Sequence, residues 1–190
     1  MPDQLANPDR RLIMGGSART LTLAGVAVLM GSSFAGMAKA DPKQDVQVLN
    51  AAIGLEHEGI AAYQIAATSG LLTPDVLKVG ITFQGHHKQH RDELIAAVHK
   101  LGGTPVESKP LADYAKALNA ASLKTQTDVL KLALGLERGA ANAYLGLIPS
   151  LDATDLHLLA ARLAGDEAFH AAVLGGALGE PIPAKGLMFG

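Results

Sequence analysis

The sequence predicts an all-α domain: a four-helix bundle with one long crossover connection, built from a duplicated helical hairpin. Three observations predict it. The composition is rich in Ala and Leu and poor in runs of Val, Ile and Thr, which favours helices over strands. Apolar residues recur at three-, four- and seven-residue steps through four segments. Two short connections flank one long one, the connectivity of a crossover bundle. With 190 residues and 48 % hydrophobic content, the chain can form one compact domain with a sizeable core.

Residues 1–40 read as a cleavable export signal that precedes the fold. A polar start ends in Arg10-Arg11, a weakly hydrophobic run extends from Leu21 to Met37, and Ala38-Lys39-Ala40 closes it in the A-x-A pattern of signal-peptidase sites. Paired Arg10 and Arg11 before a Gly/Ala-rich apolar run resemble a twin-arginine signal. Asp9 and Gly15 differ from the commonest residues of that motif, so the Sec route is the alternative. The Gly, Ser and Thr content of the run favours cleavage over retention as a membrane anchor. The expected location is the periplasm or another exported compartment, with no stable membrane span once the signal is removed. Cleavage takes away four basic and two acidic residues, so the net charge falls from -2 to -4.

The bundle occupies residues 41–180. Asp41-Pro42 opens the first helix as cap and first-turn proline. Its stripe of Val46, Leu49, Ile53, Ile60 and Ile65 ends at Ser69-Gly70. Thr73-Pro74 opens the second helix, which runs to Gly102-Gly103. The crossover, 104–121, has two prolines and one short helical stretch, 111–118. A third helix is expected from near Ser122 to Leu147. Asp152 is expected to cap the fourth, with Asp155 in its first turn and fraying from Gly175-Gly176 to Gly179. Residues 181–190 form a Pro/Gly surface tail.

The absence of Cys excludes disulfides, thiolate metal sites, iron–sulfur clusters and a Cys nucleophile. No basic stripe or aromatic platform stands out, so no nucleic-acid partner is expected. Nothing resembles a Ser/His/Asp set or a phosphate-binding Gly loop.

The chemistry lies in the repeat. Gly54-Leu55-Glu56 matches Gly135-Leu136-Glu137, and a tyrosine follows each glutamate by seven residues, Tyr63 and Tyr144. Gly85-His86-His87-Lys88-Gln89-His90 matches Gly165-Asp166-Glu167-Ala168-Phe169-His170. Residues three apart share a helix face, so His87 projects with His90 and Glu167 with His170. Glu56 sits within the apolar stripe of its helix, and Glu137 lies among Ala133, Leu134, Ala140 and Ala141. Unpaired carboxylates there would be costly. Carboxylates and imidazoles facing one another from four helices call for a compensating cation, and a metal supplies it.

This pattern resembles the ferritin-like superfamily, in which two helices give one Glu each and two give Glu-x-x-His, all pointing inward. Within it the chain looks similar to small exported ferritin-like domain proteins. The resemblance implies a ferritin-like four-helix bundle and a metal set of Glu56, His87, His90, Glu137, Glu167 and His170. Glu56 and Glu137 match the lone carboxylate ligands and Glu167 the bridge, with His170 and His90 as imidazoles. His87 departs from the family pattern, which has Glu there. Three carboxylates and three imidazoles disfavour a doubly bridged ferric pair and favour divalent ions. Two metal ions, iron or manganese, are expected, with zinc or a single metal as alternatives. O₂ or peroxide would be the oxidant of a ferroxidase-, peroxidase- or catalase-type activity. The alternatives are metal sequestration without turnover, or a structural domain that has lost its metal.

Tyr63 and Tyr144 are expected to support the ligands. Glu58 is placed on the outer face, His57 and His86 beside the site, and His99 and His157 at the surface. The repeated glycines are read as points of close helix approach. The sequence is compatible with a homodimer and shows no sign of a storage shell.

Overall fold

The structure, a computed structural model, describes residues 42–190, so the expected export signal and the Asp41 cap lie outside the described residues. All regular elements among these residues are helical: α1 (Pro42–Thr68), α2 (Pro74–Lys100), the short α3 (Leu111–Ala117), α4 (Gln126–Leu147) and α5 (Thr154–Ala177). Single 3₁₀ turns at Ala120–Ser122 and Ile148–Ser150 complete the order. α1 packs along α2 and α4 along α5, and the two hairpins face each other to form the bundle. No described helix is long and apolar enough to cross a membrane.

Two boundaries differ from the sequence expectation. Ser122 falls in a 3₁₀ turn, and α4 starts at Gln126 because Thr125 and Asp128 form a reciprocal capping box. The Asp128 amide donates to the Thr125 hydroxyl at 3.1 Å, and the Thr125 amide donates to the Asp128 carboxylate at 2.9 Å. Such an exchange satisfies two amides that the first helical turn leaves open. Asp152 does not cap α5, whose preceding residue is Ala153. Instead the Asp152 and Ala153 amides donate to buried Asp45 of α1, at 2.8 and 3.3 Å. A carboxylate 107 residues away thereby anchors the entry to α5.

The end of α5 does not fray at Gly175-Gly176. The helix continues to Ala177 and closes at Gly179, whose φ of 71° is accessible to glycine without strain. The Glu180 amide donates to the Gly175 carbonyl at 2.9 Å across this turn. α2 closes in the same way at Gly102, and Gly103 then lies so close to α1 that a Cβ would come within 2.6 Å of Val46. The repeated glycines behave differently: Gly54, Gly85, Gly135 and Gly165 each face open space, so they do not mediate close helix approach. In the tail, Phe189 packs back on the bundle, and the Gly190 amide donates to Asn142 at 2.8 Å.

The core has two apolar ends. One gathers Val48, Leu49, Ile53, Leu94, Val98 and Leu163. The other is built on Tyr63, Phe83, Leu130, Leu134 and Leu174. Burying a Leu or Ile side chain stabilises a fold by about 1.5–3 kcal/mol. These clusters supply the rigidity that holds the costly polar residues of the bundle in place.

Candidate metal centre

Each of the four long helices contributes to a single polar cluster. α1 brings Glu56, α2 brings His87 and His90, α4 brings Glu137, and α5 brings Glu167 and His170. All six are buried, and Glu167 and His170 have no exposure at all. They fall into two overlapping groups. Glu56, His87, His90 and Glu167 form one, and His87, Glu137, Glu167 and His170 form the other. In each group one ligand atom per residue lies within 4.8 Å of all the others. His87 and Glu167, the matched positions of the repeat, belong to both.

The contacts follow the repeat only in part. His170 Nδ1 lies 3.3 Å from Glu137 Oε2, whereas the matching His90 Nδ1 is 3.7 Å from Glu56 Oε1 and closer, at 3.0 Å, to Glu167 Oε1 of the other hairpin. The His87 ring spans the two halves, with Nδ1 2.7 Å from Glu56 and Nε2 3.3 Å from Glu137. Gly59 makes room for it: a Cβ there would stand 3.0 Å from His87 Nδ1. The tyrosines cross between hairpins. Tyr63 of α1 donates its hydroxyl hydrogen bond to Glu137 of α4, and Tyr144 of α4 donates to Glu56 of α1. Burial and the adjacent carboxylates hold both phenols above their ordinary range, so they remain protonated donors.

The carboxylates and imidazoles of the cluster shift one another's ionisation. Burial alone would lower the three histidines, but the carboxylates outweigh it. Glu137 and Glu56 hold His87 well up, Glu137 and Glu167 hold His170 up, and Glu167 and Glu56 push His90 up to about 10. Burial opposes ionisation of Glu56 and Glu137, yet His87 and His90 hold Glu56 below the usual carboxylate range, and Glu167 with His170 and His87 holds Glu137 well below it. Glu167 is the exception. Burial and neighbouring Glu137 raise it against the pull of His170 and His90. Its Oε2 is buried with no hydrogen-bond partner. Orphaned polar atoms are rare in folded interiors. This one belongs to the residue shared by both groups, where a cation would satisfy it. A set of carboxylate oxygens and imidazole nitrogens fits a divalent transition ion.

A second layer was not foreseen. His86, expected only to flank the site, places Nδ1 2.9 Å from His170 Nε2. Asp166 accepts from His90 Nε2 at 3.2 Å. These two residues occupy the same position of the repeat, immediately before His87 and Glu167. Each reaches the outward nitrogen of the other hairpin's histidine, which leaves Nδ1 of that ring facing the cluster. The signal lay in the repeat alignment, where both copies carry a polar residue. Phe83 also stacks on His170, with ring centroids 4.1 Å apart.

The remaining polar residues have other roles. His57 is buried with Nε2 3.2 Å from the Val106 carbonyl, so it ties the crossover to α1. His99 is exposed, whereas His157 is half-buried with Nε2 2.7 Å from the Leu151 carbonyl. Glu58 does not lie on a fully exposed face. It is half-buried along an apolar cavity, where burial raises its carboxyl against the influence of Lys109.

Comparison with known proteins agrees with this architecture. Residues 44–180 match the family model described as Ferritin-like domain. No curated protein matches the chain. Among solved structures, a conserved hypothetical protein from Mycobacterium tuberculosis aligns with a TM-score of 0.61 at 23 % identity, covering 75 % of this chain and 96 % of that one. A dodecameric thioferritin, the bacterioferritin-related protein from Bacteroides fragilis, aligns with a TM-score of 0.59 at 19 % identity, covering 83 % and 93 %. At these identities the likeness concerns the fold.

Proposed function

The chain belongs to the ferritin-like domain family, and from that premise we propose that it is an exported metalloprotein with a carboxylate/histidine di-metal centre. Glu56, His87, His90, Glu137, Glu167 and His170 hold the ions, which are iron or manganese. The observation that carries this reading is Glu167 Oε2, buried between two Glu/His groups without a hydrogen bond and with His170 Nδ1 3.5 Å away. Iron or manganese held there would supply one-electron redox chemistry with O₂ or peroxide. The protein's own part is to fix the ligands and exclude water. Tyr63 and Tyr144 hold Glu137 and Glu56 in place, and Asp166 and His86 set the orientation of His90 and His170.

Loading requires the histidines to lose their protons. His87 and His90 are held protonated above their ordinary value of 6.5, His90 up to about 10. Metal uptake at pH 7 therefore releases protons and strengthens as the pH rises. Calorimetry of Mn²⁺ binding in buffers of different ionisation enthalpy measures this release.

Metal analysis after native purification tests the centre. Between one and two equivalents of Fe or Mn are expected. Less than a few tenths of an equivalent, with thermal stability unchanged by added Fe or Mn, would sink it. Turnover of ferrous iron or peroxide separates redox function from sequestration. Export rests on Arg10-Arg11 and the Ala38-Lys39-Ala40 exit. It is tested by fractionation and by sequencing the mature N-terminus, expected at Asp41.

A further inference from the structure

The centre leaves one large feature of the bundle unused. A cavity of about 110 Å³ runs between α1 and α4, with further walls from α2, α5 and the crossover. Its lining is aliphatic over most of its surface, including Ala62, Ile65, Val76, Leu132, Ala133 and Leu136. The polar residues along it are Glu58 and a group at the centre itself, Glu56, Tyr63, His87 and Glu137. Those last four are all buried, so the cavity reaches them through the interior.

Three physical points decide what such a space takes. Water needs two to four polar partners to be held, and aliphatic walls give it none. An apolar cavity of roughly 150 Å³ accommodates a benzene molecule, so this smaller one is of the size for a short alkyl chain. Neither a neighbouring helix nor the face of a second copy is slender enough to reach residues as deeply buried as Glu56 and Glu137.

We infer that this cavity binds a small uncharged apolar molecule, a short alkyl chain, with one end against Glu56, His87 and Glu137. What that end meets rests on the metal-centre reading; the cavity itself is a consequence of packing.

The probe is 1-fluoropropane, added to the full-length protein with and without Zn²⁺ and followed by fluorine NMR. Saturable binding of one molecule per chain is expected in both states. The double variant Ala62→Leu/Ala133→Phe fills the space and should weaken binding at least tenfold while leaving Zn²⁺ uptake unchanged. Should that variant fail to fold, nuclear Overhauser contacts from the probe to the rings of Tyr63 and His87 in the native protein decide the matter. Contacts there support the site. Absence of saturation, contacts elsewhere only, or undiminished binding in a folded double variant would overturn it. A protein that takes up no Zn²⁺, Fe or Mn but still binds the probe refutes the metal centre and keeps the cavity site.

Discussion

The half of the polar layer built on Glu56 and His90 and the half built on Glu137 and His170 use one pattern twice. The same residue types stand in matching places. Each has a lone glutamate on one hairpin's first helix, a histidine on a second helix, and a tyrosine from the opposite hairpin on the glutamate. Their surroundings differ. His90 leans outward on a carboxylate, Asp166, whereas His170 leans on a neutral-type partner, His86, and stacks on Phe83. Burial and the neighbouring histidines hold His86 below its ordinary range, consistent with an imidazole that accepts. The two members common to both halves also differ, an imidazole at His87 and a carboxylate at Glu167. A duplicated scaffold thus fixes where the polar residues stand, while two substituted positions determine how alike the two halves are.

The largest expected effect comes from the residue that both halves share. Glu167→Ala should abolish binding of both ions, because it removes the carboxylate common to the two groups. Glu56→Ala should spare the Glu137/His170 half. Elemental analysis of the two purified variants tests the contrast, and two equivalents retained by Glu167→Ala would refute the shared role. The metal-free Glu167→Ala protein should also unfold more easily than the parent, since buried His90 loses the carboxylate 3.0 Å from its Nδ1.

How much of this contrast the sequence disclosed depends on the range of each interaction. The four helices and the meeting of six residues were legible because they rest on local periodicity and on a repeat. The tie from Asp45 to the Asp152 and Ala153 amides was not, since Asp45 sits in a first turn and resembles an ordinary dipole-facing acid. Ser122 drew the start of α4 too early because Thr125 and Asp128, with Asp in place of the usual Glu or Gln, are a less familiar capping box. The crossed contacts of His86 and Asp166 join residues 84 and 76 positions away. Spacing along one helix cannot reveal them.

The tyrosines probe whether the inner geometry is truly equivalent. Tyr144→Phe and Tyr63→Phe each remove a buried hydrogen bond to a carboxylate, so each should cost about 1.5–3 kcal/mol in the metal-free protein. Tyr144, 1 % exposed, should sit at the upper end and Tyr63, 7 % exposed, at the lower. Denaturant unfolding measures both, and a loss below a few tenths of a kcal/mol for either would show that its hydroxyl is readily replaced by water.

The outer partners probe the difference. Loss of a group that orients a ligating histidine costs roughly 10–100-fold in metal affinity. Asp166 is 62 % exposed, so solvent screens it and the effect of Asp166→Asn should lie near the tenfold end. That loss should fall on the Glu56/His90 half. His86→Ala should fall on the Glu137/His170 half instead. Stepwise Mn²⁺ calorimetry resolves the two, and equal weakening of both steps by each variant would mean the halves are not independently tuned.

The smallest effect is expected from making the shared pair alike. His87 can present only one nitrogen to an ion while its other N–H remains directed at a carboxylate, so it serves the two halves unequally. His87→Glu replaces the ring with a second carboxylate able to bridge, and the room left by Gly59 accepts the change without strain. One proton fewer then has to leave on loading, because a histidine held well above its ordinary value is gone. The second Mn²⁺ should bind several-fold tighter, bringing the two steps closer together, with proton release reduced. If the steps stay as far apart as in the parent, the inequality of the halves originates in Asp166 and His86 and not in the shared ring.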